Sequence, residues 1–334
     1  MKVPRQCVVR REVGAARSSA IGFLAAMLAA VPVAAQWSPT KPVRVVVPFA
    51  AGGTIDIIGR LLSQPLSRAL GQNVVVDDRP GGGTVIGVDI VARAPADGHT
   101  VLLMGPSFTI NPFARSKLPY DTAQDFTGIA RLAANPLLFS VHPSLPAKTP
   151  RELIALARAK PGELTYGTAS PTGFQRLAGE KLRAAAGIDI VNVPYQGGGP
   201  AAIAVMGGHT SILLGNVSEA APFVAIGKLR GIAVTSLERS VVMKDVPTLN
   251  ESGFPGFDAT NWFGAVGRSS LPPAAIERLS AEFLRALDAP EVRDGLTRLG
   301  LYSAAQNAEQ FNAFLKAEMQ ANEKIVRAAN IRME

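Results

Sequence analysis

The chain has 334 residues, 47% hydrophobic and 18% charged, with a formal charge of +8 and one cysteine. Residues 1–35 carry five of the positive charges (Lys2, Arg5, Arg10, Arg11 and Arg17) and one negative, Glu12, which leaves +4 on the rest. So mild a balance, with no basic stretch interleaved with aromatics, argues against nucleic acid as a partner. Cys7 is the only thiol, so the rest of the chain has no disulfide and no cysteine nucleophile.

In chain order, the basic start is followed by an apolar run at 20–33, AIGFLAAMLAAVPV, and by small residues at Val33-Ala34-Ala35. This reads as a secretory signal cleaved after Ala35. The run is shorter than the ~20 residues a membrane-spanning helix needs. Arg10-Arg11 raises a twin-arginine signal, but Glu12-Val13-Gly14 follows where an apolar pair belongs, which favours the general export route. The remaining length suits two domains, each with its own core.

Residues 43–47 read as a strand. After Gly52-Gly53, the spacing of Ile55, Ile58, Leu62, Leu66 and Leu70 predicts a helix over 54–70, ended by Gly71 and kinked or broken at Pro65. Strands follow at 74–76 and 100–104, with a helix at 84–94 between them. After the Pro-rich stretch to 150, helices are expected at 151–159, 173–186, 200–206 and 219–226. Strands are expected at 164–167, 188–193, 211–214 and 229–235. One more strand at 262–266 precedes helices at 273–287, 290–299 and 307–329. The alternation predicts α/β layers with parallel sheet. Crossovers near 130–142 and 255–265 divide it into two lobes with a cleft between them.

In open α/β sheets, ligands sit beyond the carboxyl ends of the strands. Five such ends can be read: 49–56, 105–107, 168–172, 194–199 and 215–216. They are rich in Gly, Ser, Thr and Asn, and three open a helix. Free backbone N–H groups at a helix start favour an anion, by roughly 0.3–1 kcal/mol each, and a hydrogen bond to a charged group adds about 1.5–3 kcal/mol. A carboxylate can therefore be held without an arginine clamp. A P-loop is excluded because no lysine follows Gly52-Gly53. Gly81-Gly82-Gly83 is either a tight turn or a ligand loop. Asp56 is either a first-turn acid matched to its helix dipole or a ligand contact. Tyr195 and Trp262 are either packed or at a cleft edge. His99, His142 and His209 are not paired at metal-ligand spacing, and no serine sits in a hydrolase elbow. No catalytic set, metal or cofactor is expected.

The stretches VPFAAGGTIDIIGR at 47–60, RPGGGTVIG at 79–87, YGTASPTGFQRLAGE at 166–180, VPYQGGGPA at 193–201 and DVPTLNESGFPGFDATNWFG at 245–264 resemble, together and in order, one family. It comprises the periplasmic solute receptors of the tripartite tricarboxylate transporters, also called Bug receptors. The resemblance implies a two-lobed periplasmic binding protein of the type II kind, each lobe a mainly parallel sheet flanked by helices. Lobe 1 would comprise 36–141 and 256–334, lobe 2 residues 142–255. It implies that the loops at 49–54 and 168–172 face each other and hold one ligand carboxylate through amides, hydroxyls and water. The implied contacts are Phe49, Ala50, Gly53, Thr54 and Ser107 on one side. On the other they are Thr168, Ala169, Ser170, Thr172, Tyr195 and Asn216. Asp56 joins this set under its ligand-contact reading. Ser170, Pro171 and Arg176 depart from the family pattern of glycines and a histidine, and His99 stands where tyrosine is common. Arg176 either reaches a second carboxylate or is solvated.

The expectation is a monomeric receptor in the periplasm that delivers a small organic acid to integral membrane permease subunits of a secondary transporter. The alternatives are an orphan receptor serving a signalling protein and an α/β enzyme acting on an anionic small molecule.

Overall fold

The apolar runs become strands β1 (Val43–Val47), β2 (Val74–Asp78) and β3 (Thr100–Met104), which pair in parallel in the order β2-β1-β3. The computed structural model describes residue 1 and residues 37–169, 173–195 and 197–332. The signal-peptide reading, with Cys7, therefore lies outside the described residues, as do Ser170, Pro171 and Thr172. From Trp37 onward the chain forms one compact unit.

Helix α1 (Thr54–Leu70) follows β1. Its apolar stripe of Ile55, Ile58, Leu62, Leu66 and Leu70 is buried, and Gly71 closes it at φ +67°, donating to the Ser67 carbonyl. The expected break at Pro65 does not occur. An interior proline costs about 3 kcal/mol, and burial of Leu62 and Leu66 on either side returns roughly 1.5–3 kcal/mol each. Helices α2 (Val85–Ala92) and α3 (Ser107–Ala114) follow β2 and β3.

The stretch expected to be a crossover at 130–142 is strand β4 (Phe126–Val141), which extends over 16 residues. Residues 126–136 pair antiparallel with β9 (Thr260–Arg268); residues 137–141 pair antiparallel with β7 (Ile212–Asn216). One strand thus belongs to two halves of the sheet, whose path is β2-β1-β3-β9-β4-β7-β5-β6. In the second half β5 (Thr165–Thr168) lies parallel to β6 (Val191–Pro194) and to β7, and β8 (Arg230–Val234) pairs antiparallel with β4. Strand β10 (Tyr302–Gln306), not foreseen, pairs antiparallel with β4. The outer strands are parallel, as alternation predicts; the strands at the join are antiparallel because β4 and β9 run back and forth between the halves.

Helices α4 (Pro150–Ala159), α5 (Phe174–Ala186), α6 (Gly198–Met206) and α7 (Val217–Ala225) flank the second half. Helices α8 (Pro273–Leu287), α9 (Pro290–Arg298) and α10 (Ala308–Ala328) return the chain to the first. Separate apolar clusters form on the two halves, one around β1, α1 and α8, another around β5, α4 and α5. Thr235 ties the join: its N–H donates to the Leu137 carbonyl at 3.0 Å, its hydroxyl accepts from the Leu137 N–H at 2.9 Å, and its carbonyl accepts from the Ala259 N–H at 2.8 Å. No helix among the described residues is long and apolar enough to cross a membrane.

Candidate functional site

The first strand-end loop is a tight turn. Gly52 adopts φ +81°, open to glycine at no steric cost, and Gly53 donates to the Ala50 carbonyl at 3.3 Å. Ala50 and Gly52 are exposed, Gly53 and Thr54 half-buried, and the Phe49 ring packs partly against the first-half core. Gly53 precedes α1 without any side-chain cap, so the amides of the first turn are left for another acceptor.

Asp56 is 2% exposed and works inside this turn. One oxygen accepts from the Gly52 N–H at 2.7 Å; the other lies 2.6 Å from Arg60 Nε. Arg60 also donates to Asp78 at 2.9 Å. Burial, then the neighbouring Asp56 charge, hold Asp78 above the usual carboxylate range against the pull of Arg60.

Beside this turn, β3 ends at Gly105 and Ser107 opens α3, again with no side-chain cap and no acid in its first turn. A Cβ on Gly105 would lie 3.7 Å from Ile55 and 3.0 Å from the Trp262 carbonyl, so the β1 and β3 loops abut each other and β9.

In the second half Thr168 is fully buried. Its carbonyl accepts from the Tyr195 N–H at 2.8 Å and its hydroxyl from Asn192 at 3.0 Å; the Ala169 carbonyl accepts from Gly197 at 2.9 Å. The β5 and β6 loops are therefore one unit. Tyr195 is packed: its ring lies against Gly167 and its hydroxyl meets Thr210 Oγ1 at 2.5 Å. Helices α5 and α6 begin at Gly173 and Gly197 with no side-chain cap and no first-turn acid. Thr149 and Asn307 cap α4 and α10 with their side chains, while α2, α8 and α9 also begin without a side-chain cap.

Asn216 is at the centre of a buried amide cluster. Its Oδ1 accepts from Asn135 of β4 and Asn261 of β9, each at 3.3 Å. Its Nδ2 donates to Glu219 Oε1 at 2.9 Å and its N–H to Glu219 Oε2 at 3.1 Å. Glu219 in turn fills the space over Gly198, where a Cβ would lie 2.3 Å from Oε2. Glu219 was missed from sequence, although Asn216-Val-Ser-Glu219 has the spacing of a capping box. Asn135 and Asn261 carried no local signal.

Arg176 is half-buried and engaged, with Glu180 Oε1 at 3.7 Å and Asn192 Oδ1 at 3.5 Å. Glu180 also accepts from Tyr166 at 2.9 Å and Arg183 at 2.8 Å. His99 is buried and structural: its Nε2 accepts from the Thr40 N–H at 3.1 Å and Nδ1 lies 3.2 Å from Asp97. Trp262 is fully buried against Phe311 and Phe314. Phe49, Ala50, Gly53, Thr54, Asp56 and Ser107 thus lie at the carboxyl ends of β1 and β3 in the first half, and Thr168, Ala169, Tyr195 and Asn216 at the carboxyl ends of β5, β6 and β7 in the second. Asn216 reaches β9 through Asn261, and Gly105, two residues before Ser107, lies against the Trp262 carbonyl. Among the described residues no cluster of His, Cys, Asp or Glu could hold a metal ion.

A family model described as tripartite tricarboxylate transporter family receptor matches residues 58–331. Protein BugT of Bordetella pertussis is 30% identical over 314 residues, covering 93% of this chain and 96% of BugT. A solved R. palustris protein with adipate is 31% identical with a TM-score of 0.78, over 88% of this chain and 99% of that one. MatC from Rhodopseudomonas palustris with bound malate is 29% identical with a TM-score of 0.72, over 86% and 99%.

Proposed function

We propose a function from one premise: this chain belongs to the tripartite tricarboxylate transporter family of receptors, which are periplasmic solute-binding proteins. It captures a small organic carboxylate in the periplasm and passes it to the membrane subunits of a secondary transporter. The lobes are residues 36–141 with 256–334, and residues 142–255; they close about β4 and β9. The change of β4 partner after residue 136 supports that division.

The observation that carries this reading is the set of uncapped helix starts at the strand ends of both halves, at Gly53, Pro106, Gly173 and Gly197. Each presents a positive dipole end to an anion; at α3 the Phe108 and Thr109 amides already donate to the Gly105 and Pro106 carbonyls. The ligand carboxylate lies between the turn of Phe49, Ala50, Gly53 and Thr54, with Ser107, and the opposing loop of Thr168, Ala169, Ser170 and Thr172. Asp56, Tyr195 and Asn216 act at this site by holding its walls: Asp56 holds the Gly52 amide, Tyr195 meets Thr210, and Asn216 binds Glu219 of α7. The adipate and malate bound to relatives support a dicarboxylate cargo. Binding alone suffices for this role, so the protein makes and breaks no bond.

Thermal-shift screening against adipate, malate, monocarboxylates and phosphate esters tests it. Stabilisation should follow RT ln(1 + [L]/Kd), about 2.7 kcal/mol at a hundredfold excess over Kd, for a carboxylate recovered unchanged. Phosphate esters stabilising the protein while every carboxylate is inert, or consumption of the bound acid, would refute the proposal.

A further inference from the structure

A separate cavity of about 130 Å³ lies between α5 and α10, with β4 and the start of β9 as its floor, and shares no residue with the proposed carboxylate site. Its charged lining is balanced: Arg131 and Lys181 against Asp258 and Glu318. Among the described residues no ion pair joins these opposite charges. The Arg131 guanidinium stacks 4.1 Å from the Phe314 centroid, and its Nε is buried with no hydrogen-bond partner. Lys181 donates to the Asp258 main-chain carbonyl, leaving that carboxylate to the Thr260 hydroxyl. Glu318 receives one long hydrogen bond, from Trp262 Nε1 at 3.4 Å. Phe174 and Phe314 supply an apolar wall.

Two cations and two acids that line one space without pairing leave both signs available. The buried Arg131 Nε, left without an acceptor, carries a desolvation cost. A simple anion would meet Arg131 but face Glu318 and Asp258; a simple cation would meet the reverse. A molecule with both charges satisfies each pair. Space is adequate, since a cavity of about 150 Å³ takes the six heavy atoms of benzene.

We propose that this cavity is a second ligand site, taking a small amphoteric molecule. Its carboxylate faces Arg131 and Lys181, its ammonium faces Glu318 and Asp258, and a short apolar group lies against Phe174 and Phe314. The assignment does not depend on the receptor reading.

The test is a ligand-observed NMR titration of the protein with L-alanine, with propionate, which lacks its ammonium, and with ethylammonium, which lacks its carboxylate. L-Alanine should saturate one site, with each singly charged analogue at least tenfold weaker. Ala321 is an exposed residue of the cavity wall. Ala321→Phe should weaken L-alanine at least tenfold while leaving the melting temperature and any dicarboxylate-induced shift unchanged. Glu318→Gln keeps an acceptor for Trp262 and should weaken L-alanine at least fivefold, a second readout should the first variant fold poorly. No saturation by L-alanine, equal binding of all three probes, or binding indifferent to both substitutions overturns the assignment.

Discussion

The Gly52 amide donates to the Asp56 carboxylate across four residues, at 2.7 Å, inside the turn that opens α1. Asp56 is buried while Gly52 is exposed, so the bond fixes a surface loop from beneath. The loop's glycine conformation is thereby chosen before any ligand arrives, which lowers the ordering cost of binding.

Asp56→Ala should therefore act on both stability and affinity. A hydrogen bond to a charged group contributes about 1.5–3 kcal/mol, and the exposed Gly52 amide can turn to water, so the loss of stability falls toward the lower end. Carboxylate affinity should fall roughly tenfold because the turn must then be ordered on binding. Urea denaturation with a parallel titration measures both; unchanged affinity in a folded variant would remove Asp56 from the site's support.

Glu219 and Gly198 make a second test. A Cβ at Gly198 would lie 2.3 Å from Glu219 Oε2 and 2.4 Å from its Cδ. Gly198→Ala must expel the carboxylate from its two hydrogen bonds to Asn216, at a cost of about 1–3 kcal/mol. In a Glu219→Ala background the same substitution has nothing to displace. A double-mutant cycle should show coupling of at least about 1 kcal/mol; additive effects would show that the carboxylate is not held against the β6 loop.

Glu318 gives a pH dependence. Burial raises its carboxyl above the ordinary 4.5, and the Trp262 hydrogen bond and the Arg131 charge only partly oppose it. A carboxyl raised on folding binds its proton more tightly in the folded state. Its stabilising contribution is thus complete below pH 4.5 and is lost as pH rises through the folded value. Glu318→Gln should be more stable than the parent at pH 8, and that advantage should shrink toward pH 4. An advantage that grows on acidification would reverse the assignment.

Much of this was legible in the sequence, for identifiable reasons. Helix α1 is located to the residue because its apolar stripe repeats without a gap and Gly71 ends it. The strand-end loops were legible because glycines punctuate them. Strand β4 was not: Ala133, Ala134, Asn135 and Pro136 have weak strand propensity and resemble a linker. The proline is tolerated opposite Thr260, where the ladder passes from one half of the sheet to the other. Helix α3 was hidden by Thr109, Ile110 and Pro112, and forms because Phe108 and Ile110 are buried. The Asn216 cluster was illegible because its partners lie 81 and 45 residues away. Only the folded chain brings them together, so the tie that Asn216 makes at the join had no local signal.

Ser107 separates a structural helix start from one kept for an anion. It is the first residue of α3, half-buried, with no acid in that turn and no side-chain cap before it. If the helix start serves only the fold, Ser107→Asp should be favourable or neutral, since an acid at this end contributes about 0.3–1 kcal/mol. If a ligand carboxylate docks there, the new charge repels it. Two like charges about 5 Å apart at an effective dielectric near 20 repel by about 3 kcal/mol, which screening reduces. The expected result combines opposite signs: a melting temperature without ligand equal to or above the parent's, and a carboxylate affinity at least tenfold weaker. Ser107→Ala, which removes a hydroxyl and adds no charge, should weaken binding less than Ser107→Asp. Thermal melts with and without adipate or malate separate these outcomes. An aspartate variant that binds as tightly as the parent would place the carboxylate away from α3 and leave the turn at Gly53 to hold it without this helix.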